Sequence, residues 1–441
     1  MLKLNIIIGG CGKVGFLLAN TLSIAHNIFV IDKNKDAISK LQENLDILTI
    51  AGDIKNPDTY KNIDIDTIDL FIAVTNSDEA NIISSLIIDG ILEVKEKIVR
   101  VQSSYYKETN IKEKLNIQML IMPSFLSSKS IKSLIKYPKI NNIKGFKDSS
   151  FKLISVYATK DFLKEELDEL LNPTKELILG VERDKKLFIT QNTQILKGDL
   201  VYILTLEENI IRVSSLFNKE LPNEIKRCVI FGCNEVSIEI AKILIEHKKS
   251  VKIVDKDIKA CNIAQEELWG KAEIINPLYH NEEELFIDEG IVNADFFIST
   301  YKSDEFNIIK CLEAKEFGVK KVIATNNESS YYNLMHSLNI ITLRGPKISA
   351  YHKILEEINS SDIIIEKYFC GGKGVIFFRK TDNRQIGKVI LPPKFSEVLF
   401  FILKGNQIEP LKSNQITKNS AIIAVCTKEN QEEIRQWLYE L

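Results

Sequence analysis

The chain has no surplus of charge of either sign. Its 58 lysines and arginines stand against 60 aspartates and glutamates, a formal net charge of −2, so the composition gives no basic footprint for nucleic acid or for an acidic membrane surface. It also lacks paired CxxC motifs. Seven scattered cysteines (Cys11, Cys228, Cys233, Cys261, Cys311, Cys370 and Cys426) supply neither zinc-finger spacing nor an even disulfide framework, so no metal ligand is expected and reduced cytosolic thiols fit best. No stretch approaches the roughly 18 consecutive apolar residues of a membrane span; the most apolar short run, VLFFIL at 398–403, is strand-sized. The first apolar run leads into a glycine motif without a cleavage site, which argues against a signal peptide. Any role at a membrane then has to come through a partner.

What the chain does have is a repeat. VTNSDEANII from Val74 recurs as STYKSDEFNII from Ser299, so that Asn81 matches Asn307. Asp32 at the end of FVID matches Asp255 at the end of KIVD, IIIGGCGKVG matches VIFGCNEVS, and Pro123 matches Pro346. The offset is nearly constant at about half the chain, the mark of a tandem duplication. With 441 residues, two to four domains are expected. Each half begins with short apolar runs alternating with helical patterns, as in LNIIIGG, NIFVIDK, DILTIAGD, LFIAVT, KIVRVQ and QMLIMP. That alternation reads as βαβ units in a doubly wound parallel sheet. Each half then turns strand-rich: FKLISVYAT, KLFIT and DLVYILTL in the first, GVIFF, KVILPP, VLFFIL and AIIAVC in the second, with Gln194-Ile195 matching Gln415-Ile416 before the final strands. The expected fold class is α/β: two Rossmann-like doubly wound domains (1–135 and 225–350), each followed by a small β-rich α+β lobe (147–218 and 360–441).

Gly10-x-Gly12-x-x-Gly15 follows a strand and opens a helix. The first glycine permits a tight turn, the second lets backbone approach a pyrophosphate, and the third allows close helix–strand packing. The N–H groups of the loop and first turn (Cys11, Lys13 and Val14 among them) and the helix dipole then face phosphate. Asp32 ends the next strand, where an acid hydrogen-bonds a ribose 2′-OH and repels a 2′-phosphate; NAD(H) or an adenine mononucleotide is favoured over NADP(H). Lys13 is placed to neutralise phosphate. Asp53 reads equally as a ligand of the adenine or its ribose and as a helix N-cap. Thr75 and Asn76 sit where ligands cross the switch point, Asp78 is a ligand or the cap of the next helix, and Arg100 reads as a phosphate ligand or a structural ion pair.

The second loop keeps only Gly232. Asn234 and Ser237 replace the other glycines, and Glu235 stands where Lys13 stood. Asp255 survives as a cofactor-site candidate, but crowding by Asn234 and repulsion by Glu235 predict weak or no dinucleotide binding there. Catalytic machinery is not evident. His26 and His247 fall in turns at the far end of each sheet, while His280, His336 and His352 read as surface or packing residues. No GxSxG, HExxH or P-loop motif occurs.

The series GxGxxG–Asp32–Asp53–VTNSDEAN, followed by a β-rich unit and then repeated, resembles the TrkA family, the cytoplasmic regulatory subunits of bacterial Trk potassium uptake systems. The resemblance covers essentially the whole chain, most specifically at 74–81, SDEFN (303–307) and LPPK (391–394). It implies that the α/β units are RCK (KTN) domains and that the β-rich units are their smaller C-terminal lobes. It further implies binding of NAD(H), with ATP/ADP as the other candidate, and a homotetrameric ring beneath an integral membrane potassium channel subunit of the Trk type. By position, Gly10, Gly12, Gly15, Asp32 and Asp53 become ligand residues, followed by Thr75, Asp78 and Arg100. The protein so read is a regulator and not an enzyme. An NAD-dependent oxidoreductase with a degenerate second half is the rival reading.

Overall fold

The structure, a computed structural model, describes residues 3–441 apart from 66, 104, 107–108, 147–148, 190–193, 278–281, 359–363, 382–396 and 412–419. The expected strand KVILPP, the LPPK motif, His280 and Gln415-Ile416 lie outside the described residues.

The first half opens with six strands, β1 (Asn5–Gly9), β2 (Asn27–Asp32), β3 (Leu48–Ala51), β4 (Thr67–Ala73), β5 (Glu93–Arg100) and β6 (Met119–Ile121), in the order β3-β2-β1-β4-β5-β6. All their pairings are parallel. The near-continuous apolar runs of β1 and β4 follow from helices covering both faces of the sheet; Ile6, Ile7 and Ile8 are all fully buried. Strand order reverses between β1 and β4, whose carboxyl ends pair Gly9 with Ala73. A crevice at that end is where an open α/β sheet takes its ligand.

An antiparallel sheet follows: β7 (Asn142–Gly145), β8 (Phe151–Tyr157), β9 (Glu176–Arg183), β10 (Lys186–Phe188) and β11 (Leu200–Leu206). The parallel sheet then recurs as β12 (Arg227–Phe231), β13 (Ser250–Val254), β14 (Glu273–Ile275), β15 (Phe296–Ser299), β16 (Val322–Asn326) and β17 (Ile341–Arg344), in the same spatial order as the first. The second antiparallel sheet holds β18 (Ile364–Phe369), β19 (Gly374–Lys380), β20 (Leu399–Lys404), β21 (Gln407–Pro410) and β22 (Ser420–Thr427). The chain is therefore two Rossmann-like units, each followed by an antiparallel lobe.

The halves are interlocked. The two lobes share one core: Phe151, Leu179 and Leu204 of the first pack with Ile376, Phe401 and Ile423 of the second, and Phe146 stacks on Phe378 with ring centroids 5.4 Å apart. Helix Pro346–Ile358 leaves the second α/β unit and buries Ala350 and Ile354 in the core of the first. In return, helix Pro123–Ser128 of the first unit lies on helix Glu235–Glu246 of the second. Ser127 of helix Pro123–Ser128 and Ser349 of the second unit's exit helix meet Oγ to Oγ at 3.3 Å in the seam.

Candidate nucleotide-binding site

The loop after β1 turns at Gly10, whose φ is +108°, a left-handed value that side-chain-bearing residues rarely adopt. A Cβ there would lie 2.9 Å from the Thr75 nitrogen. Gly15 is closed to any side chain, since a Cβ would fall 1.9 Å from the Gly10 carbonyl oxygen. Gly12 differs from both. It is the N-cap of helix Lys13–Leu22, with no side chain to cap it, and a Cβ on it would meet nothing within 4 Å. The loop thus ends at open space over uncapped helix N–H groups, the geometry that receives an anion. Val14 is buried in the core, so it presents only backbone to this space.

Asp32 holds the loop. Its Oδ2 accepts from Cys11 N at 2.5 Å and its Oδ1 from Asn34 N at 2.8 Å. Burial, then the Asp32 charge, pushes the Cys11 thiol up to about 11, so this cysteine is a neutral thiol near pH 7. Asp53 does not cap a helix: its Oδ1 accepts from Lys55 N at 2.9 Å in a tight turn, and Asn56 caps the short 3-10 helix that follows. The cap, one of the two readings of Asp78, belongs to Ser77, whose Oγ accepts from Ala80 N at 3.1 Å. Asp78 reaches across to the segment after β5, accepting from Gln102 N at 2.8 Å and Ser103 N at 2.9 Å. Asn81 ties the ends of β4 and β5 together, donating to Thr75 O at 3.0 Å and Arg100 O at 2.9 Å. Asn307 repeats this in the second unit with Tyr301 O and Thr325 O, both at 2.9 Å, which explains why SDExN recurs.

Arg100 makes no ion pair among the described residues. Its Nη1 donates to Asn76 Oδ1 at 3.3 Å and, more weakly, to Thr75 O at 3.5 Å, and its buried Nε has no partner. Burial lowers its pKa from the ordinary arginine value, while Asp78 and Glu235 act in the opposite sense. An under-satisfied guanidinium at the rim of the crevice suits an incoming anion. With the open cradle at Gly12, it is the observation by which these residues fit a nucleotide phosphate. Lys13 is engaged elsewhere: its Nζ donates to Asn327 O at 2.8 Å and lies 3.5 Å from Glu328 Oε1, both in the second α/β unit.

The second site is plugged. The Asn234 side chain accepts from Val236 N at 2.9 Å and Ser237 N at 3.2 Å, closing a capping box with Ser237, and donates to Thr300 O at 2.7 Å. The N–H groups that would meet phosphate are already used. Asp255 repeats the role of Asp32, accepting from Cys233 N at 2.6 Å and Asp257 N at 2.8 Å, and is buried. Glu235, expected to repel phosphate locally, accepts from Ser124 Oγ of the first unit at 3.1 Å. It joins the seam.

One cluster is missed by the sequence reading. Glu182 of β9, His336 of helix Tyr332–Ser337 and Cys370 after β18 converge, with a donor atom from each within 4.8 Å of the others. Their dispersal along the chain hides them; only the repeat, which stacks lobe on lobe, gives any hint.

The family model for the TrkA-N domain matches residues 6–123 and 228–343. A Trk system potassium uptake protein TrkA homolog of Archaeoglobus fulgidus is 25% identical over 411 residues, covering 92% of each chain. The Trk system potassium uptake protein TrkA of Halomonas elongata is 28% identical over 371 residues, covering 82% of this chain and 80% of its own. Among solved structures, the GsuK channel bound to NAD superposes with a TM-score of 0.60 at 15% identity over 100% of this chain and 80% of the channel. GsuK bound to ADP gives 0.52 at 11% identity over 82% and 70%. At these identities the two structures are similar in fold.

Proposed function

We propose that this chain, which belongs to the TrkA-N domain family, is the nucleotide-binding regulatory subunit of a membrane potassium-uptake system. Residues 1–135 and 225–350 are its paired RCK-type domains, and 147–218 and 360–441 their lobes. The observation that carries the reading is the contrast between the two glycine loops: one open at Gly12, the other closed by Asn234. A chain that keeps one cradle and converts its twin into a joint is built to sense one nucleotide.

In this reading the loop N–H groups of Cys11, Gly12, Lys13, Val14 and Gly15 bind the phosphates, with Gly10 setting the turn and Arg100 facing them. Asp32 takes the ribose hydroxyls, and Asp53, Thr75, Asn76 and Asp78 frame the crevice. NAD(H) is the first candidate and ATP/ADP the second, in keeping with the ligands named for the structurally similar channel. Asp255 is left out of the ligand set, because the second cradle is filled. Regulation needs differential affinity between two states and no reacting group; a tenfold preference supplies about 1.4 kcal/mol. Lys13 provides the coupling: phosphate competes for the ammonium that now holds Asn327 and Glu328 of the second unit.

No helix among the described residues is long and apolar enough to cross a membrane. In this reading the potassium path belongs to an integral membrane channel subunit of the Trk type, with this chain beneath it on the cytoplasmic face. A homotetrameric ring is favoured by apolar residues left uncovered on equivalent helices, Ile83 and Leu86 on Asp78–Ile87 and Phe306 and Ile309 on Asp304–Glu316. Replacing Ile83 and Ile309 together with aspartate is expected to convert the oligomer to single chains, read by light scattering, with unchanged circular dichroism; an unaltered mass excludes this face as the interface.

The test of function is rubidium uptake at low external potassium by cells lacking the chain, complemented with wild type or with Gly12→Asn. Uptake restored by the first and not by the second supports nucleotide-dependent potassium transport. Uptake that does not require the chain, together with nicotinamide turnover by the purified protein, would favour the oxidoreductase.

A further inference from the structure

We propose that Glu182, His336 and Cys370 form a Zn²⁺ site that clamps the first lobe to the second half of the chain. The three residues come from three different units. Glu182 lies on β9 of the first lobe, His336 on helix Tyr332–Ser337 of the second α/β unit, and Cys370 at the turn between β18 and β19 of the second lobe. His336 Nε2 is 2.6 Å from Glu182 Oε2, and the Cys370 Sγ lies within 4.8 Å of donor atoms of both. Tyr202 Oη donates to Glu182 Oε2 at 3.1 Å. Lys373 Nζ stands 3.9 Å from the other carboxylate oxygen, leaving Oε2 as the donor that faces histidine and thiol.

One nitrogen, one sulfur and one carboxylate oxygen form the donor set of a borderline-soft divalent ion, and zinc takes all three. With bonds of about 2.0–2.3 Å, tetrahedral ligands sit about 3.3–3.7 Å apart, which fits inside the 4.8 Å spread of these atoms after the short His336–Glu182 contact opens. Binding releases the thiol proton, so the thiolate enters as the metal does. A cavity of about 40 Å³ lined by His336, Cys370, Tyr202 and Tyr332 adjoins the cluster, enough for a water molecule as the fourth ligand.

Two further features mark construction at this place. Cys370 has φ +50° and is followed by Gly371 and Gly372 at +63° and +85°. A cysteine held in the left-handed region is a local cost that the surroundings impose, and the turn brings its thiol to the cluster. Gly371 is also crowded: a Cβ there would lie 2.9 Å from Asn333 Oδ1 and 3.7 Å from His336 Cδ2, so the turn seats directly on the helix that carries the histidine. Tyr332 stacks against His336, the rings 8° from parallel, which restrains the imidazole.

The experiment is anaerobic titration of the metal-free full-length chain with Co²⁺, followed by optical absorption and then by Zn²⁺ displacement. One equivalent is expected to give a thiolate-to-cobalt charge-transfer band, lost on adding zinc and absent from Cys370→Ser and from His336→Gln, each checked for native circular dichroism. Two substitutions on different elements keep the test decisive if one variant fails to fold, and the wild-type spectrum needs neither. The absence of a thiolate band in the wild-type chain, or a band that survives Cys370→Ser or His336→Gln, overturns the proposal. The buried pair Cys233 and Cys261, with sulfurs 3.8 Å apart, is the competing thiol source that this last outcome would indicate.

Discussion

Gly12→Asn is expected to weaken nucleotide binding by about 100-fold or more while leaving folding stability within about 0.5 kcal/mol of wild type. Gly12 already has extended backbone, φ −69° and ψ −174°, which asparagine adopts without strain, and the space around its missing Cβ is open. The second half of the chain has carried out this substitution: Asn234 caps its helix by accepting from Val236 N and Ser237 N. An asparagine in the first loop would do the same to the donors that phosphate needs, and an N-cap asparagine is at least as favourable as glycine. Calorimetric titration with NAD(H) and ADP, paired with thermal unfolding, reads both halves of the expectation. Full-strength binding by a well-folded Gly12→Asn chain would place the nucleotide elsewhere.

The second large effect separates ligand from scaffold. Asp32 and Asp255 each accept two backbone N–H groups through two different oxygens. Asparagine has one acceptor oxygen, so in Asp32→Asn and in Asp255→Asn one N–H must face an amide NH₂. With its one oxygen turned to the Cys11 or Cys233 N–H, the amide leaves the more exposed Asn34 or Asp257 N–H to water, so each substitution is expected to cost about 0.5–1.5 kcal/mol of stability, the net worth of one hydrogen bond. Only Asp32→Asn should also weaken nucleotide binding, because only the first crevice is open. Equal stability losses with unequal binding losses assign the ribose to Asp32. If both variants bind as wild type, Asp32 only builds the loop.

Much of this was legible in the sequence, and the reasons are local. The glycine spacing, the acid ending β2 and the alternation of apolar runs with helical periodicity all depend on residues within about one βαβ unit, and the repeat shows as a copy of the same local motifs half a chain away. The replacement of Gly12 and Gly15 by Asn234 and Ser237 also foretold the closed second loop. What stayed open was of two kinds. Within a turn, sequence cannot decide between adjacent polar residues: Ser77 holds the cap that was one reading of Asp78, and Asn56 the one that was a reading of Asp53. Across the chain, it cannot foresee which units touch. The contact of Lys13 with Asn327 was not foreseen beside its phosphate reading, and His336, read as an isolated helix residue, meets Glu182, 154 positions away. Both depend on the packing of one half on the other, which no short motif records.

That packing constrains how the chain is made. The first α/β unit has its core completed by Ala350 and Ile354, and the first lobe shares its core with strands as late as β22. At ribosomal speeds of about 5–20 residues per second, the first half emerges roughly 7–28 seconds before the helix that covers it. During that interval its apolar faces have no partner on the same chain. The nascent first half therefore exposes apolar surface that the later helix and strands cover, the kind of surface that invites pairing with the corresponding helix of a neighbouring chain. A single polypeptide carrying both halves keeps the correct helix tethered at high local concentration, so that self-pairing outruns exchange.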